Sequence, residues 1–166
     1  MSRSKFFLLL LGLLGVGLGV YLLWPADDRT VIASRVQQLA AVASYPAEEH
    51  PLRKQQALGK MKALLSPDLV LKVNLPGGRS QAVEGRKEFM ERVQEVRFGL
   101  AALKVEFDIQ SIELSSDHRV ATVGLTLTAH IGVEKQQEFQ EMKLQLEKSS
   151  DGWLIKRLET VRTYGR

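Results

Sequence analysis

Leu103-Lys104-Val105-Glu106-Phe107-Asp108-Ile109-Gln110-Ser111-Ile112-Glu113-Leu114 is the stretch that decides the fold. Apolar Leu103, Val105, Phe107 and Ile109 alternate with polar Lys104, Glu106, Asp108 and Gln110, the period-2 pattern of a strand with one buried face. At Ser111 the phase slips by one, and Ile112 and Leu114 carry the apolar set onward. One extra residue inside a strand signals a β-bulge, which bends and twists the sheet around it.

The same period continues downstream. Val123, Leu125, Leu127, Ala129 and Ile131 alternate with Thr122, Thr126, Thr128 and His130. Met142, Leu144 and Leu146 alternate with Glu141, Lys143, Gln145 and Glu147, and Ser150-Asp151-Gly152 turns the chain into a last strand beginning at Trp153. Turns this short imply antiparallel neighbours. Upstream the period is helical. Asp27 and Asp28 are good N-caps for a helix carrying Ile32, Val36, Leu39, Ala40 and Ala43 on one face, stopped by Tyr45-Pro46. A second helix begins near Pro51 and ends at Ser66-Pro67. Leu69, Leu71, Val73 and Leu75 then mark a strand, and Pro76-Gly77-Gly78 a loop. Gly85 opens a third helix with Phe89, Val93, Val96 and Leu100 on one face. The predicted order is α-α-β-α-β-β-β-β: an α+β domain over residues 27–166, in which helices cover the apolar face of a curved antiparallel sheet. Such a sheet forms a cone with a pocket at its mouth.

Before this domain, residues 6–24 form a run of 19 without a charge. At about 1.5 Å per residue the run spans roughly 28 Å as a helix, close to the hydrocarbon thickness of a bilayer. Arg3 and Lys5 precede it, and Tyr21 and Trp24 sit at its far end. This arrangement predicts a single-pass anchor of the inner membrane, with residues 1–5 as a short cytoplasmic tail and the domain outside the cytoplasm. The competing reading is a cleaved signal peptide and a secreted domain. Cleavage after Ala26 would place Trp24 at the −3 position, where a small residue is required. Gly12, Gly15 and Gly19 share one face of this segment, where a second helix could pack closely; glycine is also common in such segments.

The net charge is +4, of which Arg3 and Lys5 supply two. The other basic residues interleave with acidic ones, without a basic stripe carrying aromatics, so nucleic acid is not an expected partner. The chain has no cysteine, which excludes thiolate chemistry, disulfides, Cys-ligated metals and a lipoprotein anchor. His50, His118 and His130 are scattered and lack carboxylates at ligand spacing. No phosphate loop or nucleophile elbow occurs in the domain, and nothing points to a cofactor.

Three stretches resemble the nuclear transport factor 2-like superfamily, which includes ketosteroid isomerase and SnoaL-type cyclases. They are Ser66-Pro67-Asp68-Leu69-Val70-Leu71 at a helix-to-strand junction, Glu84-Gly85-Arg86-Lys87-Glu88-Phe89 at the start of the third helix, and Lys148-Ser149-Ser150-Asp151-Gly152-Trp153-Leu154-Ile155 as a terminal hairpin. The resemblance implies a conical pocket. In the isomerases it also implies a carboxylate base near the end of the first strand, where this chain has Asn74, an amide that cannot accept a proton at neutral pH. Tyr45 stands where it could mimic the oxyanion-binding Tyr, or simply pack at a helix end. The candidate pocket residues are Tyr45, Asn74, Phe107, Leu125, Leu144 and Trp153, and Trp153, Ile155, Phe107, Leu125 and Leu144 are expected in one core. Thr122, Thr126, Thr128 and His130 form an uncharged strip on the opposite face, a candidate surface for a homodimer or merely an exposed strand.

Two functions follow as expectations. One is a non-catalytic, membrane-anchored binding or assembly module for a partner protein or an apolar ligand; in layout alone it resembles the inner-membrane assembly subunit of type IV secretion systems, with a shorter tail and linker. The other is a small-molecule isomerase or cyclase, which would need the bulge to turn Asp108 or Glu113 inward, within reach of Tyr45. The anchor reading predicts that mass spectrometry of the mature protein finds the N-terminal segment retained. It also predicts that a reporter active only outside the cytoplasm works when fused after Arg166. A mature chain starting at Asp27 contradicts retention.

Overall fold

A computed structural model describes residues 27–74, 80–132 and 136–161. The expected anchor at residues 6–24, with Gly12, Gly15 and Gly19, lies outside these residues. No helix of the described residues is long and apolar enough to cross a membrane. The elements in chain order are α1 (Asp28–Ala43), α2 (Pro51–Leu64), β1 (Leu65–Asn74), β2 (Ser80–Glu84), α3 (Arg86–Gly99), β3 (Leu103–Leu114), β4 (Val120–Ile131), β5 (Gln136–Ser149) and β6 (Gly152–Thr160). The six strands form one sheet in the order β2-β1-β6-β5-β4-β3.

The phase slip in β3 is a register shift. Ile109 pairs with Leu125 and Ser111 with Gly124, which leaves Gln110 as the extra residue. The absence of a side chain at Gly124 suits this site, since a Cβ there would lie 2.9 Å from Ser111 Oγ. Beyond the bulge Ile112 and Leu114 return to the inner face, as the sequence pattern requires.

Three features of the sheet differ from the sequence reading. A short strand, β2, pairs antiparallel with β1; its five residues are largely exposed and carry no apolar alternation by which to recognise it. β1 begins at Leu65, so Ser66-Pro67 lies inside the strand and not between helix and strand. A register break between Leu65 and Val70 accommodates the proline, which has no N–H to give to a ladder. Finally, β1 pairs parallel with β6, so the sheet is mixed and not wholly antiparallel.

The Gly85-Arg86 pair explains itself in the structure. Gly85 has φ 88°, a conformation that favours glycine, and its N–H donates to Leu69 O at 2.7 Å. Arg86 Nη1 donates to Leu65 O at 3.0 Å, satisfying a carbonyl at the end of α2. At the other end of α2, His50 is the N-cap, its Nδ1 accepting from Leu52 N at 3.2 Å.

α1 lies along β3 across the inner face. Gln37 Nε2 donates to Phe107 O at 2.9 Å, and Ser44 Oγ accepts from Val105 N at 2.9 Å. Ile32 and Val36 are fully buried against the sheet. Trp153, Ile155, Phe107, Leu125 and Leu144 all belong to this core. The expected capping role of Asp27 and Asp28 is not what the structure shows. Asp27, the N-cap residue, makes no side-chain cap bond. The Asp28 carboxylate instead accepts from Trp153 Nε1 at 3.0 Å and from Lys148 Nζ at 2.9 and 3.1 Å, tying the start of α1 to the terminal hairpin. The hydrogen bond from Lys148, then that from Trp153, holds the Asp28 carboxyl below the usual carboxylate range.

Trp153 is 2% exposed, so Trp153→Ala should destabilise the protein by about 3–5 kcal/mol, read as a loss in chemical denaturation. Because folding lowers the Asp28 pKa, its contribution is present above the unfolded carboxylate value and is lost as pH falls through the folded one. Asp28→Asn should therefore lower Tm at pH 7, by an amount that shrinks as pH falls below the ordinary carboxylate range. Equal Tm values at pH 7 would contradict the tie.

Candidate ligand cavity

A cavity of about 300 Å³ lies between α1, α3 and the sheet. That volume is at the lower end of small-molecule sites, roughly 300–1,000 Å³. Leu39 and Ala43 of α1 and Met61 of α2 form one side; Phe89, Val93 and Val96 of α3 form another. The floor is Leu71 of β1, Leu103, Val105 and Phe107 of β3, Leu127 of β4, Met142 of β5 and Leu158 of β6. Tyr45, Arg92 and Arg97 complete the wall. Among the described residues, no Asp, Glu or His lines it.

Tyr45 is held by its own backbone, which pairs with Leu103: Tyr45 N donates to Leu103 O at 2.7 Å and Leu103 N to Tyr45 O at 3.0 Å. Its hydroxyl points to Val96 O, 3.4 Å away, and burial raises the phenol above its ordinary value. The phenol therefore stays protonated at neutral pH.

Arg97 is the least expected member. The apolar face of α3 was expected to run through Val96 and Leu100. Instead Val96 is 45% exposed at the rim, and Arg97 is 7% exposed beneath it. The guanidinium lies 4.8 Å from the centre of the Tyr45 ring, in cation–π geometry. Nη2 donates to Val42 O at 2.7 Å, and Nη1 is 3.6 Å from Glu49 Oε2, beyond hydrogen-bond range. Nε and Nη1 have no hydrogen-bond partner among the described residues. An unmet buried donor costs about 1–3 kcal/mol, and more when charged. The sequence held one signal for this position. Arg97 follows Met90 by seven and Val93 by four residues, so it falls on the inward stripe of the helix.

Of the candidate pocket residues, Tyr45 and Phe107 line the cavity. Leu125, Leu144 and Trp153 are not in its wall; they are packed in the core, and Trp153 is bonded to Asp28 at the start of α1. Asn74 is also outside it, with its N–H bonded to Thr160 Oγ1 at 2.7 Å and its Nδ2 to Thr160 O at 2.5 Å. It fastens the end of β1 to β6. Asp108 and Glu113 stay exposed on the other face, so the bulge does not rotate either inward. Asp108 accepts from Gln110 Nε2 at 2.7 Å. Among the described residues, no group of acidic and histidine side chains could hold a metal ion.

The outer strip is less uniform than expected. Thr128, Thr126 and Thr122 pair with Glu106, Asp108 and Glu113 on β3, so a column of carboxylates flanks it. His130 Nε2 lies 3.2 Å from Glu106 Oε2. The hydrogen bonds to Glu106 from Lys104, then from His130, lower its carboxyl below the usual range. On the other side Thr128 faces Phe139, which is 66% exposed.

No protein-family model matches the chain, and no curated protein matches its sequence. Solved structures do match. A domain of unknown function with a cystatin-like fold from Nostoc punctiforme superposes with a TM-score of 0.64 at 13% identity, covering 84% of this chain and 80% of that one. A nuclear transport factor 2-like protein of unknown function from Shewanella oneidensis gives 0.59 at 16% identity, over 82% and 98%. A candidate scytalone dehydratase from Novosphingobium aromaticivorans gives 0.58 at 16% identity, over 84% and 93%. At these identities the likeness establishes the fold, which is nuclear transport factor 2-like, and leaves function to the site.

Proposed function

We propose that this chain is a non-catalytic binding module, displayed outside the cytoplasm on an N-terminal membrane anchor, that holds a small apolar molecule between α1, α3 and the sheet. The observation that carries the reading is the cavity wall: aliphatic and aromatic side chains with two arginines, and no carboxylate or imidazole among the described residues. Proton abstraction needs a base within hydrogen-bond reach of the substrate, and stabilising a developing charge needs aimed donors. An apolar wall supplies neither, but it favours a hydrocarbon group over water. The isomerase reading is less well supported, because Asn74 is bonded to Thr160 and Asp108 and Glu113 face outward.

The four methionines provide the test. Met61 and Met142 line the cavity, while Met90 does not. With the full chain in lipid nanodiscs and ¹³C-labelled methionine methyls, octanol should shift the Met61 and Met142 resonances and leave Met90 in place. Leu127→Trp, which fills the floor, should abolish the shifts. Unmoved Met61 and Met142 signals at saturating octanol would contradict the reading.

We also propose that a second copy docks on the outer face of β4 and β5. Phe139, exposed beside Thr128, supports this, since a large aromatic on a strand face loses water contact when covered. The chain has no cysteine, so Thr126→Cys introduces a single thiol. Oxidation in membranes should give a covalent dimer, and Phe139→Glu should suppress it. Monomer from both Thr126→Cys and Thr128→Cys would remove this interface.

A further inference from the structure

The outer face of the sheet is divided by charge. Along β3 it carries Glu106, Asp108 and Glu113, all exposed. On the other side Thr122 of β4, Lys143 and Gln145 of β5, and Arg157 and Glu159 of β6 line an open trough of about 270 Å³. Arg157 is half-buried there, yet among the described residues neither its guanidinium nor the Lys143 ammonium has a hydrogen bond or ion pair. The neighbouring Lys156, by contrast, is bonded to Glu147 at 2.8 Å. Glu113 is also unpaired among the described residues. It lies in the same row of the sheet as Arg157, through Thr122 and Gln145. Three strand steps of about 4.8 Å, roughly 14 Å in all, keep the two from meeting within one chain.

We propose that the second copy docks about a two-fold axis parallel to the strands and midway between β4 and β5, which seats Glu113 of each copy in the other's trough, against the partner's Arg157. Charge selects this axis. A two-fold across the strands lays β3 on the partner's β3 and stacks acids on acids. An axis along β4 sets Asp108 on the partner's Glu141, and one along β5 sets Glu141 and Lys143 each on its own copy; these juxtapositions repel. Midway between the two strands, β4 faces β5 and β3 faces β6. Thr128 then covers the partner's Phe139, Thr122 meets the partner's Gln145 and Glu113 meets the partner's Arg157, with no like charges opposed in these rows. Packed sheets stand about 10 Å apart, a gap that a glutamate and an arginine reaching from opposite sides span. The planar fork of an arginine matches a carboxylate, and the Lys143 ammonium and Thr122 hydroxyl in the trough offer it further donors.

This inference rests on the docking of a second copy, and the experiment separates the two. The two-fold makes each contact twice, so charge reversal can be tested by complementation. Self-association of the full chain is read by sedimentation equilibrium in density-matched detergent. Glu113→Arg and Arg157→Glu should each weaken it roughly tenfold or more, since each sets like charges together at both contacts. Mixed, the two variants should form a heterodimer within about threefold of the wild-type affinity, because every charge then meets its opposite. One chain carrying both changes should recover likewise. Single variants that associate as tightly as wild type, or a mixture no tighter than either variant alone, would overturn the Glu113–Arg157 contact and leave the docking face standing. A wild-type chain that stays monomeric, or a dimer that survives Phe139→Glu, ends both readings. If Arg157→Glu shows no thermal transition and so does not fold, Glu113→Arg decides alone: undiminished association overturns the contact.

Discussion

The extra residue at Gln110 is the constraint on which the rest of this domain depends. It bends β3, and β4 follows through its ladder, with Gly124 set opposite Ser111. A helix is a nearly straight rod and cannot follow a bent sheet along its whole length. α1 therefore leaves a gap over part of the sheet while staying tied to β3 through Gln37 and Ser44. At its start Ile32 and Val36 have no exposed surface, and Asp28 is bonded to Trp153 and Lys148. Towards its end Leu39 and Ala43 border the cavity. The gap is thus a product of the curvature, not a defect of packing.

What fills the wall of that gap follows from the same geometry. The inner phases of the strands are apolar because they were selected to bury a face, so the cavity inherits an apolar lining. α3 closes it from the side and brings in two arginines, Arg92 and Arg97. A buried arginine with two unmet nitrogens is unfavourable for folding alone. The guanidinium of Arg97 is stacked on Tyr45 and has Glu49 3.6 Å away as its counter-ion.

Much of this was legible in the sequence, because most of the elements state their own period. The slip at Ser111, the alternation in β4 and β5 and the Asp151-Gly152 turn gave the curved sheet and its terminal hairpin. β2 was not legible: it owes its existence to β1, and its own residues carry no pattern. The parallel pairing of β1 with β6 was hidden for a related reason, since it joins strands far apart in the chain and no local turn announces it. The position of Asp28 before an apolar helical run suggests a cap, and nothing local shows the indole that reaches it from Trp153. At the site, the sequence pattern places Tyr45 and Phe107, whereas the charge of Arg97 points to the solvated face and conceals its inward position. Its spacing from Met90 and Val93 is the local sign of that position.

Xenon tests the central claim most directly, since it enters dry apolar cavities and not hydrated ones. A crystal of the protein pressurised with xenon should hold ordered xenon among Leu39, Phe107 and Leu127. A chain of ordered waters in that space, or side chains closed over it with no xenon bound, would contradict the account.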